Sequence, residues 1–142
     1  MAYCTLEDYE NWFVRSDTIR RTDDSIPPVG IENHVLISKA IEFGAAKIDS
    51  YIGARVSLPL SEPYPVDFVD LNMRLARYTL ANRIGRVGIE IKEDYDACMA
   101  TLKDYRDGKL AMPQALMATQ TMGQVLSYSP DRIFTERILS YA

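Results

Sequence analysis

The single histidine, His34, stands two positions after Glu32, and an imidazole beside a carboxylate is the commonest arrangement for moving a proton near neutral pH. A catalytic role needs a further partner that the sequence does not display, so an exposed or helix-capping histidine is the stronger reading. Serine hydrolase chemistry needs a nucleophile on a Gly-x-Ser-x-Gly elbow, and that motif does not occur. Asp23-Asp24 has the first residues of a cation-binding loop but no carboxylate ladder after them, which leaves turn formation. Glu7, Asp8 and Glu10 read as the acidic first turns of a helix, where the dipole favours negative charge. Gly85-x-x-Gly88, flanked by Arg83 and Arg86, lacks the preceding strand and following lysine of a phosphate-cradling loop and is better read as a solvated turn. Met112, Met117 and Met122 recur every five residues, a spacing that suits adaptable packing and neither a helical stripe nor a ligand box. No catalytic, cofactor-binding or metal-ligating residue is assigned on this reading. No cofactor and no enzymatic activity are expected.

Composition narrows the class. A chain of 142 residues with 47% hydrophobic and 25% charged residues has the make-up of one soluble globular domain. No apolar run approaches the roughly 20 residues needed to span a bilayer, so no membrane partner is expected. The acidic start, Met-Ala-Tyr-Cys-Thr-Leu-Glu-Asp, lacks a charged-then-apolar signal region, and secretion is not expected. Cys4 and Cys98 have no Cys or His at ligand spacing; Cys98 falls on an apolar helical stripe, as a buried reduced thiol would. A net charge of −4 argues against a surface that grips nucleic acid by its phosphates, though not against one that surrounds DNA without holding it.

The elements that would position any site are helical. Thr5 can cap the free amides of a first helix, with Asp8 where a capping-box carboxylate would sit although Glu or Gln is the preferred partner, and Leu6, Tyr9 and Phe13 give that helix one apolar face. A short second helix is expected over Asp17 to Arg21, then a Pro-rich loop from Thr22 to Gly30. Ile37, Ile41, Ala45, Ile48 and Ile52, widened by Leu36, Ala40 and Phe43, predict a long helix from Ile31 to Gly53, roughly 33 Å in length. Gly44-Ala45-Ala46 leaves room for a close helix contact. Val66, Val69, Met73, Ala76 and Leu80, beside Phe68, Leu75 and Tyr78, predict a helix over Val66 to Arg83. Ile91, Tyr95, Cys98, Leu102 and Tyr105 predict another from Ile89 to Asp107, stopped by Gly108. The expected fold is all-α: a compact bundle of about four helices around one long helix, spanning residues 1–110, with an extended C-terminal arm over residues 111–142.

Between the long helix and the next lies Gly-Ala-Arg-Val-Ser-Leu-Pro-Leu, residues 53–60. Gly53 suits a left-handed helix end, Leu58 and Leu60 fall on one side of an alternating run, and Pro59 forbids a return to helix. Pattern alone favours an ordinary loop; the functional alternative is a stiff elbow presenting its leucines to the core or to a neighbour. The last stretch carries apolar pairs, Val125-Leu126, Ile133-Phe134 and Ile138-Leu139, followed by Tyr141. It is too apolar for a solvated linker.

These parts, in this order, resemble the Mu-like bacteriophage head–tail connector (adaptor, neck) family. The resemblance runs from Ala2 to Leu110. It rests on Ala2-Tyr3-Cys4-Thr5-Leu6-Glu7-Asp8, Thr22-Asp23, Ile48-Asp49-Ser50-Tyr51-Ile52, Arg55 and Leu58-Pro59-Leu60. Further matches are Pro65, Ala76-Arg77-Tyr78, Leu80, Tyr95, Ala97, Leu102 and Gly108. Departures are Ser25-Ile26-Pro27-Pro28 in place of an Asp- and Gly-rich loop, Val56 where an aromatic residue is common, and Glu136 where the family's C-terminal pattern has Arg. What the resemblance implies is a structural virion protein: a subunit that forms a homo-oligomeric ring between the portal protein and a downstream neck or tail protein. DNA would pass through without sequence-specific binding. Its expected place is the virion neck, and the host cytoplasm during assembly. Arg55, Leu58, Pro59 and Leu60 are then the expected elbow contacts, and Ile133, Phe134, Leu139 and Tyr141 the expected arm anchors. Arg55 is expected either to pair with Asp49 or a neighbour's carboxylate or to remain an exposed arginine of little consequence. The rivals are another neck, head-completion or tail-terminator component, a helical interaction module outside the virion, and a small enzyme with a site shared between subunits.

Overall fold

Thr5 opens the first helix, α1 (Leu6–Trp12), with the expected reciprocal cap: its hydroxyl accepts from the Asp8 amide, and the Asp8 carboxylate accepts from the Thr5 amide at 2.8 Å. α2 (Arg15–Thr22) follows after a two-residue break and is longer than the Asp17–Arg21 segment read from the sequence. The chain then runs through the Pro-rich loop into α3 (His34–Ile52), α4 (Val66–Arg83) and α5 (Ile89–Asp107). This is a computed structural model and describes residues 2–113. Among them there are five helices and no strand, so the protein is all-α.

α3 begins at His34 and not at Ile31. Asn33 accounts for the difference: its side chain accepts from the amides of Val35 and Leu36, which fixes the start. The helix has 19 residues, so its length is about 28 Å. Ile37, Ala40, Ile41, Ala45, Ile48 and Ile52 are all buried, as their spacing requires. Phe43 is 65% exposed; it lies about 200° round the helix from Ile41 and cannot share that face. At the other end Gly53 has φ −59°, so α3 finishes without the expected left-handed residue. Gly108, with φ +78°, does supply one at the end of α5.

α3 and α4 form the hub, and α4 is buried on two sides. Phe68, Leu71 and Leu75 join Tyr3, Ile48, Ile52, Cys98, Leu102 and Tyr105 in one cluster. Met73, Ala76 and Leu80 join Cys4, Tyr9, Ile37 and Ile41 in a second. α5 closes the first cluster and α1 the second. Val66, placed on the α4 seam by pattern, is 81% exposed, because it lies about 200° round the helix from Phe68, the residue of that first turn that faces the core. Cys98 and Cys4 are free and buried; burial pushes the Cys98 thiol up to about 11 and the Cys4 thiol to about 12. Both are thiols and poor nucleophiles at neutral pH.

The small residues of α3 permit the close contact foreseen for them. A Cβ built at Gly44 would stand 2.6 Å from Asn72 Oδ1, 3.2 Å from the Asn72 carbonyl oxygen and 3.3 Å from Leu75 Cβ. Gly44→Ala is therefore expected to lower stability by about 1–3 kcal/mol, read from the denaturation midpoint. Asn72 is fully buried, and neither of its side-chain polar atoms has a hydrogen-bond partner among the described residues. Because the nearest obstacle is that side chain, Asn72→Ala in the Gly44→Ala background should recover part of the loss. A double variant as unstable as the sum of the two would place the clash in the backbone instead.

α2 is held to α4 by charge. Asp17 accepts from Arg21 at 2.9 Å and from Arg77 at 3.4 Å, and Arg77 also lies over the Phe13 ring. Burial, the largest single influence, pushes the Asp17 carboxyl upward, but the two guanidiniums together outweigh it and hold it below its ordinary value. A carboxyl depressed in the fold stabilises at pH above its unfolded value, near 3.9, and this contribution is lost as pH falls through the lower folded value. Asp17→Asn should therefore lower stability at pH 7 and flatten the acid limb of the stability curve. An unchanged acid limb would show that this carboxylate does not contribute to it.

Candidate interaction surface

The elbow after α3 is fastened to its own subunit from two directions. Val56 and Leu60 (each 6% exposed) turn inward to the cluster shared by α3, α4 and α5. Leu60 therefore belongs to the subunit's own core and is unavailable as a surface anchor, while Leu58 is 39% exposed and Pro59 is exposed. The alternation from Val56 to Leu60 is therefore not a two-leucine display, since Leu58 and Leu60 have different fates.

Arg55 pins the elbow to α5. Its guanidinium donates to the Tyr105 carbonyl oxygen at 3.0 Å and lies beside Gly108, where an added Cβ would be 3.1 Å from Nη1. This carbonyl belongs to the last turn of α5, where helix carbonyls lack intrahelical donors and a cation is favoured. Asp49, one expected partner of Arg55, accepts a hydrogen bond from the Tyr3 hydroxyl. Tyr3 also meets Tyr64 edge-on at 5.2 Å and Phe68 at 5.9 Å, and Phe68 meets Tyr105 at 5.7 Å. These four aromatic residues clamp both ends of the elbow. Sequence reading assigned Tyr105 and Phe68 to helix faces and gave Tyr3 and Tyr64 no elbow role; no spacing rule links residues 3, 64, 68 and 105.

A second surface lies at the opposite end of α3. Val29, Ile31 and Val35 are exposed and line one shallow cleft whose other walls are polar, Asp23, Asp24, Glu32 and His34 among them, and Ile26 beside them in sequence is 98% exposed. The loop that carries them is shaped by Asp23, whose carboxylate accepts from the amides of Ser25, Val29 and Gly30. Asp24 takes the guanidinium of Arg83 at 2.9 Å. Both aspartates are thus occupied in forming and tethering a turn. Nothing in the sequence marks this cleft, because isolated Val and Ile in a Pro-rich loop carry no periodicity.

Among the described residues no helix is long and apolar enough to cross a membrane. Ile133, Phe134, Leu139 and Tyr141 lie outside the described residues, as does most of the stretch assigned to the arm. Met112, assigned to that stretch, is buried in the first cluster, so the packed unit reaches beyond residue 110.

Set against known proteins, residues 3–125 match the model of the family described as Bacteriophage Mu, Gp36. No curated protein matches the chain.

Proposed function

The chain belongs to the bacteriophage Mu Gp36 family, and from that premise we propose that it is a head–tail connector: copies form a ring in the virion neck, between the portal and the next neck or tail protein. The observation that carries this reading is the presence of two unlike surfaces at opposite ends of α3. One is the apolar Leu58-Pro59 rim, held by Arg55; the other is the cleft in which Val29, Ile31 and Val35 stand among acidic and polar residues. A ring is built from heterologous contacts, in which one surface meets a different one on the next copy. In this reading the ring keeps the DNA channel continuous, and its net negative charge suits a lumen through which DNA slides. Assembly takes place in the host cytoplasm.

The test is electron microscopy of purified portal mixed with this protein. A new ring stacked on the portal supports the connector role. No association with portal, together with a stable stoichiometric complex with a host protein, would favour an interaction module outside the virion. Leu58→Asp probes the rim separately. Its side chain is already partly solvated, so the helical signal should be unchanged while ring formation falls sharply.

A further inference from the structure

Glu10 on α1, Glu32 in the loop before α3 and His34 in the first turn of α3 come together at one end of the molecule, each offering a ligand atom within 4.8 Å of the others. His34 Nε2 is 3.3 Å from Glu10 Oε1 and 4.0 Å from Glu32 Oε1. Glu10 Oε1 is itself shielded from solvent and makes no aligned hydrogen bond among the described residues, although the Glu10 side chain as a whole is 34% exposed. Two carboxylate oxygens and one imidazole nitrogen converging in this way make a donor set that a shared cation would satisfy.

We infer that Glu10, Glu32 and His34 form a binding site for a divalent transition-metal cation, with Zn²⁺ the best fit. One imidazole nitrogen and two carboxylate oxygens suit Zn²⁺, whereas Mg²⁺ and Ca²⁺ take all-oxygen sets. Tetrahedral zinc with bonds of about 2.0–2.1 Å places its ligand atoms about 3.3–3.4 Å apart. The His34–Glu10 pair already has that separation, and Glu32 Oε1, 4.0 Å from His34 Nε2, would have to move closer to join them. Arg15 Nε, 3.0 Å from Glu32, acts as the outer partner that orients this carboxylate. Its guanidinium is largely solvated, which weakens its competition with the cation. His34 is exposed, so water completes the coordination from the solvent side. Bound metal would tie α1 to the start of α3, closing the end of the molecule that carries the Val29-Ile31-Val35 cleft. The site stands independently of the connector reading.

The experiment uses the full chain, stripped with chelator and titrated with Zn²⁺ alone by calorimetry, with Mg²⁺ as comparison. One Zn²⁺ per chain, a raised melting temperature and a shift of the ring signals of the sole histidine are expected. Loss of a ligand should cost at least the roughly tenfold in affinity that loss of an outer partner costs, in both His34→Ala and Glu10→Gln. Should Glu10→Gln fail to fold, His34→Ala, a change at an exposed side chain, decides alone. Undiminished binding by His34→Ala, equal binding of Mg²⁺, or no stoichiometric binding would overturn the site. So would a thiolate charge-transfer band with Co²⁺, which would place the metal on a cysteine.

Discussion

Phe68→Ala is expected to lower the unfolding free energy by about 3–5 kcal/mol, the usual cost of truncating a fully buried aromatic residue. For a domain whose total stability is of order 5–15 kcal/mol, that is a large share of the margin. Phe68 is 0% exposed and lies in the first cluster, in ring contact with both Tyr3 and Tyr105. Tyr3 is tied to α3 through Asp49, and Tyr105 supplies the carbonyl oxygen that receives Arg55. The cavity would therefore open where α3, α4, α5 and the elbow meet. Chemical denaturation should show the midpoint falling with an unchanged slope. A loss under about 1 kcal/mol would mean that the aromatic clamp collapses onto the gap.

Removal of residues 125–142 is expected to separate folding from assembly. Among the described residues the last to join the core is Met112. The shortened chain should keep its helical signal and melt close to the full chain. In the connector reading it should also lose ring formation, because Ile133, Phe134, Leu139 and Tyr141 leave with it and buried aromatic and aliphatic anchors carry most of an interface's energy. Sedimentation with and without portal measures this directly. Shortened chains that still form rings would remove the C-terminal stretch from the mechanism and leave the Leu58 rim and the Val29-Ile31-Val35 cleft to account for it.

Where a residue's fate depended on neighbours within one or two turns, the sequence was a sound guide. The Thr5–Asp8 cap, the buried stripe from Ile37 to Ile52, the face from Ile91 to Tyr105 and the stop at Gly108 all follow from spacing and side-chain type. The misreadings share a cause. Phe43 and Val66 are apolar residues that a pattern recruits and a fold leaves out, because nothing local says how wide the buried face is. Asn33 was passed over because a helix start is a competition between side-chain caps and apolar periodicity, and here the cap prevails. Leu58 and Leu60 look equivalent in an alternating run, but the core accepts only the second.

By itself the chain determined that it is helical, roughly where its five helices run, that Cys98 is a buried thiol, and which family its ordered signatures resemble. Each of these is written in contacts a few residues long or in a recognisable order of motifs. Only the tertiary structure decided that Arg55 grips the end of α5, that Tyr3, Tyr64, Phe68 and Tyr105 clamp the elbow, that Asn72 backs onto Gly44, and that Glu10 meets Glu32 and His34. Such pairings join residues far apart in the chain. They are set by how α3 and α4 pack, and helix packing is fixed by the fit of whole surfaces, which no local spacing encodes.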